Sequence, residues 1–284
     1  MTARIANLSP IPIAHEQGGC ENAIHFPTWE GDNFMRRLLI AATMILIAIP
    51  ASAQERPAKL KALLITGGGY HKYDELNPVI TKKVAALAHV NFEVKYGLET
   101  LRNPKFADGF DIVIYNFCFG DEKNKELIEN ALKVTRDGKP TMMVHCAMHT
   151  FAPSNEWTDC CGMRTRVHDP YRAFAVIKVN KKHPIVKMLP DEWPTPGDEL
   201  YQTIKLGERS TPLLIGKAPK AKVEHVVAWV STYGKGKVFA TTLGHDMNTV
   251  KLPVYHRLLA NGLLWACDKL DKNGEAMKGY GGSK

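Results

Sequence analysis

The chain has 284 residues with 37 Lys and Arg against 29 Asp and Glu, a formal net charge of +8, 45 % hydrophobic residues and 8 % aromatic residues. That balance excludes a disordered acidic or low-complexity chain and fits a globular domain with room for a substantial core. The basic excess is scattered rather than striped with aromatics, so it reads as a solvated surface and not a nucleic-acid face.

The N-terminal stretch reads as targeting rather than fold. Met35-Arg36-Arg37 gives a positive start, Leu38 to Pro50 an apolar run, and Ala51-Ser52-Ala53 an A-x-A cleavage site. That order is a secretory signal peptide over residues 35–53, and its apolar run is too short to span a bilayer comfortably. Residues 1–34 read as upstream sequence outside the native protein, and the mature chain begins at Gln54. No stable membrane anchor remains after cleavage, and the expected location is periplasmic or secreted. Residues 1–53 hold three of the Lys and Arg and four of the Asp and Glu, so 34 bases face 25 acids in the mature chain, a formal +9. Five cysteines remain there: Cys118, Cys146, Cys160, Cys161 and Cys267. An odd count leaves at least one thiol unpaired, and without a CxxC pair a zinc knuckle is not expected.

Lys59 to Thr66 is an apolar strand entering Gly67-Gly68-Gly69, a tight turn or an anion-facing loop. A helix follows over Asp74 to Ala88. Phe92 to Tyr96 is a second strand, and Asp111 to Phe117, apolar throughout, a central one. Lys123 to Thr135 has helical spacing, with Leu127, Ile128, Ala131 and Leu132 as its stripe. Thr141 to Cys146 is a fourth strand. This alternation predicts a parallel sheet with covering helices. Residues 151–170 are irregular, and short strands follow at 173–179, 199–205, 213–215 and 226–230, an antiparallel insertion beside the parallel core. A closing strand at Val238 to Leu243 ends on Gly244-His245-Asp246, and a helix runs from Pro253 to Cys267. The domain is expected over 54–271, with a flexible glycine-rich tail over 272–284.

Parallel sheets place ligands outside the carboxyl ends of their strands. Three loops should meet there: Gly67 to His71, His145 to His149, and Gly244 to Asp246. His245, Glu199, Cys146 and Asp246 are the candidate catalytic groups: His245 and Glu199 for protons, Cys146 as a nucleophile on a strand-to-helix turn. The small residues a nucleophile elbow needs are replaced by Val144 and Met148, which leaves an inert buried thiol as the alternative. His71, His145, His149, Tyr201 and Trp157 are candidate substrate contacts, the aromatics as faces for sugar rings or equally as core residues. His71, His149 and His245 could also hold a divalent metal, zinc or manganese, without any HExxH-type motif to support it.

Several segments together resemble the ThuA-like (trehalose-utilisation) family. They are the first strand with its His71 loop, Phe110 to Ile114, Gly138-Lys139-Pro140, Val144 to Ala147, His183-Pro184-Ile185, Asp198 to Tyr201, and Ala228-Trp229. To these are added Tyr233 to Phe239, Leu243 to Asp246, and Leu258 to Ala266. The resemblance spans about residues 59–268. It implies a class I glutamine-amidotransferase-like, flavodoxin-like sheet flanked by helices, and a role in carbohydrate metabolism among exported proteins. In amidotransferases proper the nucleophile lies within Gly-x-Cys-x-Gly and the histidine is followed two residues later by glutamate. Here Cys146 lacks both glycines and Met247 stands in the glutamate's place, so glutamine hydrolysis is not expected. The resulting expectation is an enzyme acting on a sugar or keto-sugar by hydrolysis, isomerisation or elimination. The alternatives are a Cys146-dependent hydrolase and a non-catalytic carbohydrate-binding protein. A small-molecule carbohydrate is the expected partner, and a homo-oligomer stays open.

Overall fold

A computed structural model describes residues 56–219 and 223–282; the expected signal segment and the upstream stretch lie outside the described residues. Strands β1 (Leu60–Gly68), β2 (Val90–Tyr96), β3 (Ile112–Cys118) and β4 (Thr141–Val144) alternate with helices α1 (Tyr73–Ala85) and α2 (Lys125–Arg136). Helix α2 starts two residues later than its spacing predicts because the Asn124 side chain accepts from the backbone N–H groups of Glu126 and Leu127. That is an N-cap, which sets where the first turn begins.

The second half adds α3 (Asn155–Cys161), β5 (Met163–Arg164), β6 (Arg172–Lys178), α4 (Pro184–Lys187) and β7 (Glu192–Asp198). It continues with β8 (Lys205–Leu206), β9 (Thr211–Lys217), β10 (His225–Tyr233), β11 (Gly236–Thr241), α5 (Met247–Val250) and α6 (Pro253–Ala266). Nine of these strands form one sheet in the order β2-β1-β3-β4-β11-β10-β9-β6-β7. The first five are mutually parallel, and the remaining four are added antiparallel. The expected antiparallel insertion is therefore a wing of the same sheet. Four reversals of direction between β11 and β7 leave β7 running the same way as the parallel strands. Its carboxyl end, Asp198, thus reaches the edge where β1, β4 and β11 also end.

Apolar residues cover both faces of the sheet, as buried parallel strands require. Helices α1 and α6 close one face over Leu64, Ile114, Val144 and Phe239; α2 and α3 close the other over Ile65, Tyr115, Met143 and Trp229.

Two expectations need correction. Residues 199–204 form no strand: β7 ends at Asp198 because that carboxylate turns to bind backbone N–H groups of another loop, described below. The expected flexible tail is docked over its described residues 272–282. Gly282 N–H donates to Leu87 O, His89 N–H to Tyr280 O, and Ala88 bridges Gly281. This also shortens α1, which ends at Ala85 rather than Ala88, since the polar backbone of residues 87–89 pairs with the tail instead of continuing the helix.

Candidate functional site

Each strand end contributes one piece. After β1 the chain passes Gly67 and Gly68, both at positive φ, and delivers His71 at the start of α1. A Cβ on Gly68 would lie 2.1 Å from the Cys118 carbonyl oxygen, so the loop fits against β3 only with glycine there. After β4 a single 3-10 turn, His145–Met148, presents His145 at φ 48°. A non-glycine residue held at positive φ is strained, and such strain gathers at functional sites. After β11, Gly244 at φ 114° brings round His245. After β7 come Glu199, Leu200 and Tyr201.

The three histidines stand around one point. Ring centroids lie 4.7 Å apart for His71 and His145, 4.9 Å for His71 and His245, and 5.5 Å for His145 and His245, with rings crossed at 72–86°. Glu199 spans two of them: its Oε2 is 3.5 Å from His145 Nε2 and 3.2 Å from His245 Nδ1. Its Oε1 is 3.4 Å from Nε2 of the exposed His168. Nδ1 of His145 lies 2.6 Å from the Thr242 carbonyl oxygen. Both ring nitrogens of His71 are buried without a hydrogen-bond partner, as are Nε2 of His149 and Nδ1 of His245, whose contact with Glu199 is an ion-pair distance only.

Electrostatics follow from this packing. Burial, reinforced by the charges of His145 and His245, pushes His71 down to about 3. Burial also lowers His149, to about 4, with His145 and His168 adding to the effect. His245 is raised, first by its contact with Glu199. Burial acts to raise Glu199, but the close contacts and charge of His145 and His245 outweigh it and hold the carboxyl well below the usual range. Glu199 is thus an ionised acceptor, flanked by imidazoles.

Beneath the cluster lies Asp198, which the sequence marks only as part of the segment Asp198 to Tyr201 and gives no site role. Fully buried, its carboxylate accepts from the backbone N–H groups of Gly244 (2.9 Å), His245 (3.2 Å) and Glu199 (2.8 Å). It ties the β7 end to the Gly244-His245 corner and so sets the spacing between Glu199 and His245. His168 and Tyr171 were missed as well. His168 sits in the irregular segment with no periodicity to mark it, whereas Asp198 could have been flagged as one half of an Asp-Glu pair closing a strand.

A cleft of about 300 Å³ opens over the cluster, lined by His71, His149, Arg166, Glu199, Tyr201 and His245 among others. A second lobe of about 390 Å³ shares Tyr70, His71 and His245. A larger hollow of about 680 Å³ beside α3 is bordered by the exposed charges Asp159, Arg164, Lys205, Glu208 and Arg209, and holds none of the buried unpartnered atoms.

Other expected site residues take different places. Cys146 is in a disulfide with Cys118, with Cα atoms 5.2 Å apart; in this form it has no thiol to ionise, and it lies within a 3-10 turn rather than at the head of a long helix. The two cysteines follow one another at the ends of adjacent parallel strands, which is what lets them meet. Trp157 is 1 % exposed and packs among Tyr115, Phe117 and Phe151, its indole N–H donating to Ala147 O at 2.9 Å. It is a core residue and offers no face to a ligand. His149 lies flat on Tyr201 at 4.2 Å, and the histidine triplet with mutually close nitrogens is His71, His145 and His245, not His71, His149 and His245. Asp246 N-caps α5 through Asn248 N–H and accepts from the Tyr171 hydroxyl, a local structural role at the rim. Tyr201 borders the cleft, but its ring is sandwiched by His149 and its hydroxyl lies 3.4 Å from His145 Nε2.

The sequence model of the ThuA family, described as trehalose utilisation, matches residues 61–266. The chain belongs to the ThuA family. Its fold matches a ThuA-like protein from Parabacteroides merdae, at TM-score 0.63 and 18 % identity, over 80 % of this chain and 98 % of that one. A ThuA-like protein from Bacteroides uniformis matches equally well, at TM-score 0.63, 17 % identity and the same coverage. The cytoplasmic protein STM1381 from Salmonella typhimurium shares the fold at TM-score 0.55 and 11 % identity, over 73 % of this chain and 99 % of that one. At these identities the structural matches speak for the fold. Among curated proteins, none matches the sequence.

Proposed function

We propose that this ThuA family member is an exported enzyme of carbohydrate metabolism that takes a proton from the carbon beside a carbonyl of a keto-sugar, the step common to isomerisation and elimination. The observation that carries the reading is the meeting, over a small polar cleft, of one ionised carboxylate, Glu199, with three imidazoles from three other strand ends. Proton abstraction beside a carbonyl needs two things at once: a base within reach of the C–H, and an electrophile on the oxygen to hold the developing charge. Glu199 supplies the base. The histidine cluster supplies the electrophilic side. The family's description as trehalose utilisation supports a sugar as substrate. The cysteine hydrolase alternative loses its nucleophile to the Cys118–Cys146 bond. Export is supported by that same bond, since disulfides persist in oxidising compartments, and among the described residues no helix is long and apolar enough to cross a membrane.

The test is to incubate the protein with keto-disaccharides and their parent disaccharides in D₂O and follow both by proton NMR. Conversion, or deuterium uptake at the carbon next to the carbonyl, is expected for a keto substrate, and Glu199→Gln should slow it by roughly 10²–10⁴-fold. Wild-type protein that returns every keto-sugar unconverted and unexchanged would remove the proposal.

A further inference from the structure

We propose that His71, His145 and His245 together bind one divalent ion of the zinc class, with Glu199 aligning the imidazole of His245 from outside the ligand set. The inference rests on reading this cluster as the reactive site, although its test uses no sugar.

The first support is proximity. One ring nitrogen from each of the three histidines lies within 4.8 Å of the other two. Ligands about 2.0–2.1 Å from a tetrahedral ion stand roughly 3.4 Å apart, so the three rings need to close on an ion by no more than about an ångström. The rings are crossed rather than stacked, which lets three lone pairs converge without ring-on-ring collision.

The second support is unmet bonding. Buried polar atoms are paired almost without exception, yet both nitrogens of the His71 ring are buried with no partner. An imidazole has one lone pair to give and accepts a cation there as readily as a proton donor. Tyr201 Oη, at 3.4 Å, makes only a long contact to His145 Nε2, and an ion bound at that nitrogen replaces it.

The third is support from behind the rings. Metal-bound histidines almost always present their other nitrogen to a carbonyl or carboxylate, which fixes the tautomer. His145 has this from the Thr242 carbonyl at Nδ1 (2.6 Å); at His245 the Glu199 carboxylate stands 3.2 Å from Nδ1, at ion-pair distance but out of hydrogen-bond alignment. In His145 this leaves the lone pair on Nε2. Thr242 directly follows β11, and Glu199 directly follows β7, so the backing groups come from the sheet itself and not from mobile chain.

Donor type decides the metal. Imidazole nitrogens suit zinc, copper, iron and nickel, while manganese, magnesium and calcium prefer carboxylate, carbonyl and water oxygens. This narrows the zinc-or-manganese expectation to the zinc side. Cys118 and Cys146 also lie near His71, but thiolate is the ligand form of cysteine, and here the two sulfurs are bonded to each other. Three protein ligands leave a fourth position for water or substrate, the pattern of catalytic rather than structural zinc. An ion there polarises a sugar carbonyl oxygen, the electrophilic part that the proposed reaction requires.

The test uses the chain from Gln54 onward, purified without reductant or chelator, loaded with excess Zn²⁺, desalted, and measured for zinc per chain by plasma mass spectrometry. About one zinc per chain is expected, with a thermal midpoint that rises on Zn²⁺ addition and falls back with chelator, and with visible absorption when Co²⁺ is used instead. His71→Ala, which removes no hydrogen bond, should hold less than about a tenth of the wild-type zinc while keeping its circular dichroism; His245→Gln gives the same reading should His71→Ala fail to fold. His89→Gln, at the opposite end of the strands, should keep full occupancy. Wild-type protein holding less than about a tenth of an equivalent overturns the inference, as does full occupancy in both variants. Zinc held without sugar turnover would remove the proposed reaction and leave the site; turnover by chelator-treated, zinc-free protein would leave both the reaction and the site but take the ion out of the chemistry.

Discussion

Replacing Asp198 by Asn isolates the link between sheet edge and site. Asp198 is buried, and its carboxylate accepts three backbone N–H groups, from Glu199, Gly244 and His245. Burial pushes its pKa upward, while Thr249 and these backbone contacts oppose that. In Asp198→Asn the amide oxygen can keep the two bonds made by Oδ1, but the NH₂ group then faces Gly244 N–H, and two donors oppose each other. A hydrogen bond to a charged group contributes about 1.5–3 kcal/mol, and a stranded buried donor costs about 1–3 kcal/mol more, so a loss of about 3 kcal/mol is expected. For a domain of this size each kcal/mol moves the midpoint by about 2–4 °C. Asp198→Asn should therefore melt about 6–12 °C below wild type, followed by circular dichroism at pH 7 with chelator present so that no metal contributes. Asp198→Ala should fall further. A midpoint for Asp198→Asn within about 2 °C of wild type would refute the assignment of this carboxylate as the tie between β7 and the Gly244-His245 corner.

Two further outcomes follow from the corrected residues. Trp157→Ala should destabilise the protein by about 3–5 kcal/mol, as large core truncations do. Affinity for any sugar ligand should hold at temperatures where the variant stays folded, and a selective loss of binding without loss of stability would return Trp157 to the cleft. Thiol titration of the chain from Gln54 onward, in denaturant without reductant, should count three thiols, Cys160, Cys161 and Cys267, because Cys118 and Cys146 are joined. The native protein should react slowly, since burial pushes the Cys160 and Cys267 thiols up to about 12; five thiols in denaturant would show the pair to be open.

The parallel core was legible because its strands carry continuous apolar runs broken by glycine turns, and because a strand end followed by Gly-His-Asp has few other readings. The meeting of the loops that follow β1, β4 and β11 followed from parallel topology alone. What escaped was set by contacts between distant segments. Nothing local in Glu192–Asp198 says that it runs with the core strands and ends beside β11, so Glu199 reads as a strand start and Asp198 has no site role in the sequence. Trp157, in a polar stretch, reads equally as a sugar face or as core; the neighbours in space that settle it, Tyr115 and Phe117, lie 40 or more positions earlier. His149 and His145 were indistinguishable by spacing, and only the 3-10 turn decides that His145 joins the cluster while His149 turns onto Tyr201.

The docked end of the domain has a topological consequence. Arg56 donates to the carbonyl oxygens of Gly279 and Gly281, and Gly279 packs against Pro57, so residues 56 and 282 are held side by side. Backbone that can be joined across so short a gap tolerates circular permutation when the new opening lies in an exposed turn. Asp108 and Gly109 form such a turn, away from the strand ends that build the site. A permutant opened there puts His71 on the far side of the new join from His145, Glu199 and His245, so a cluster formed in it would be assembled by the sheet and not by chain order.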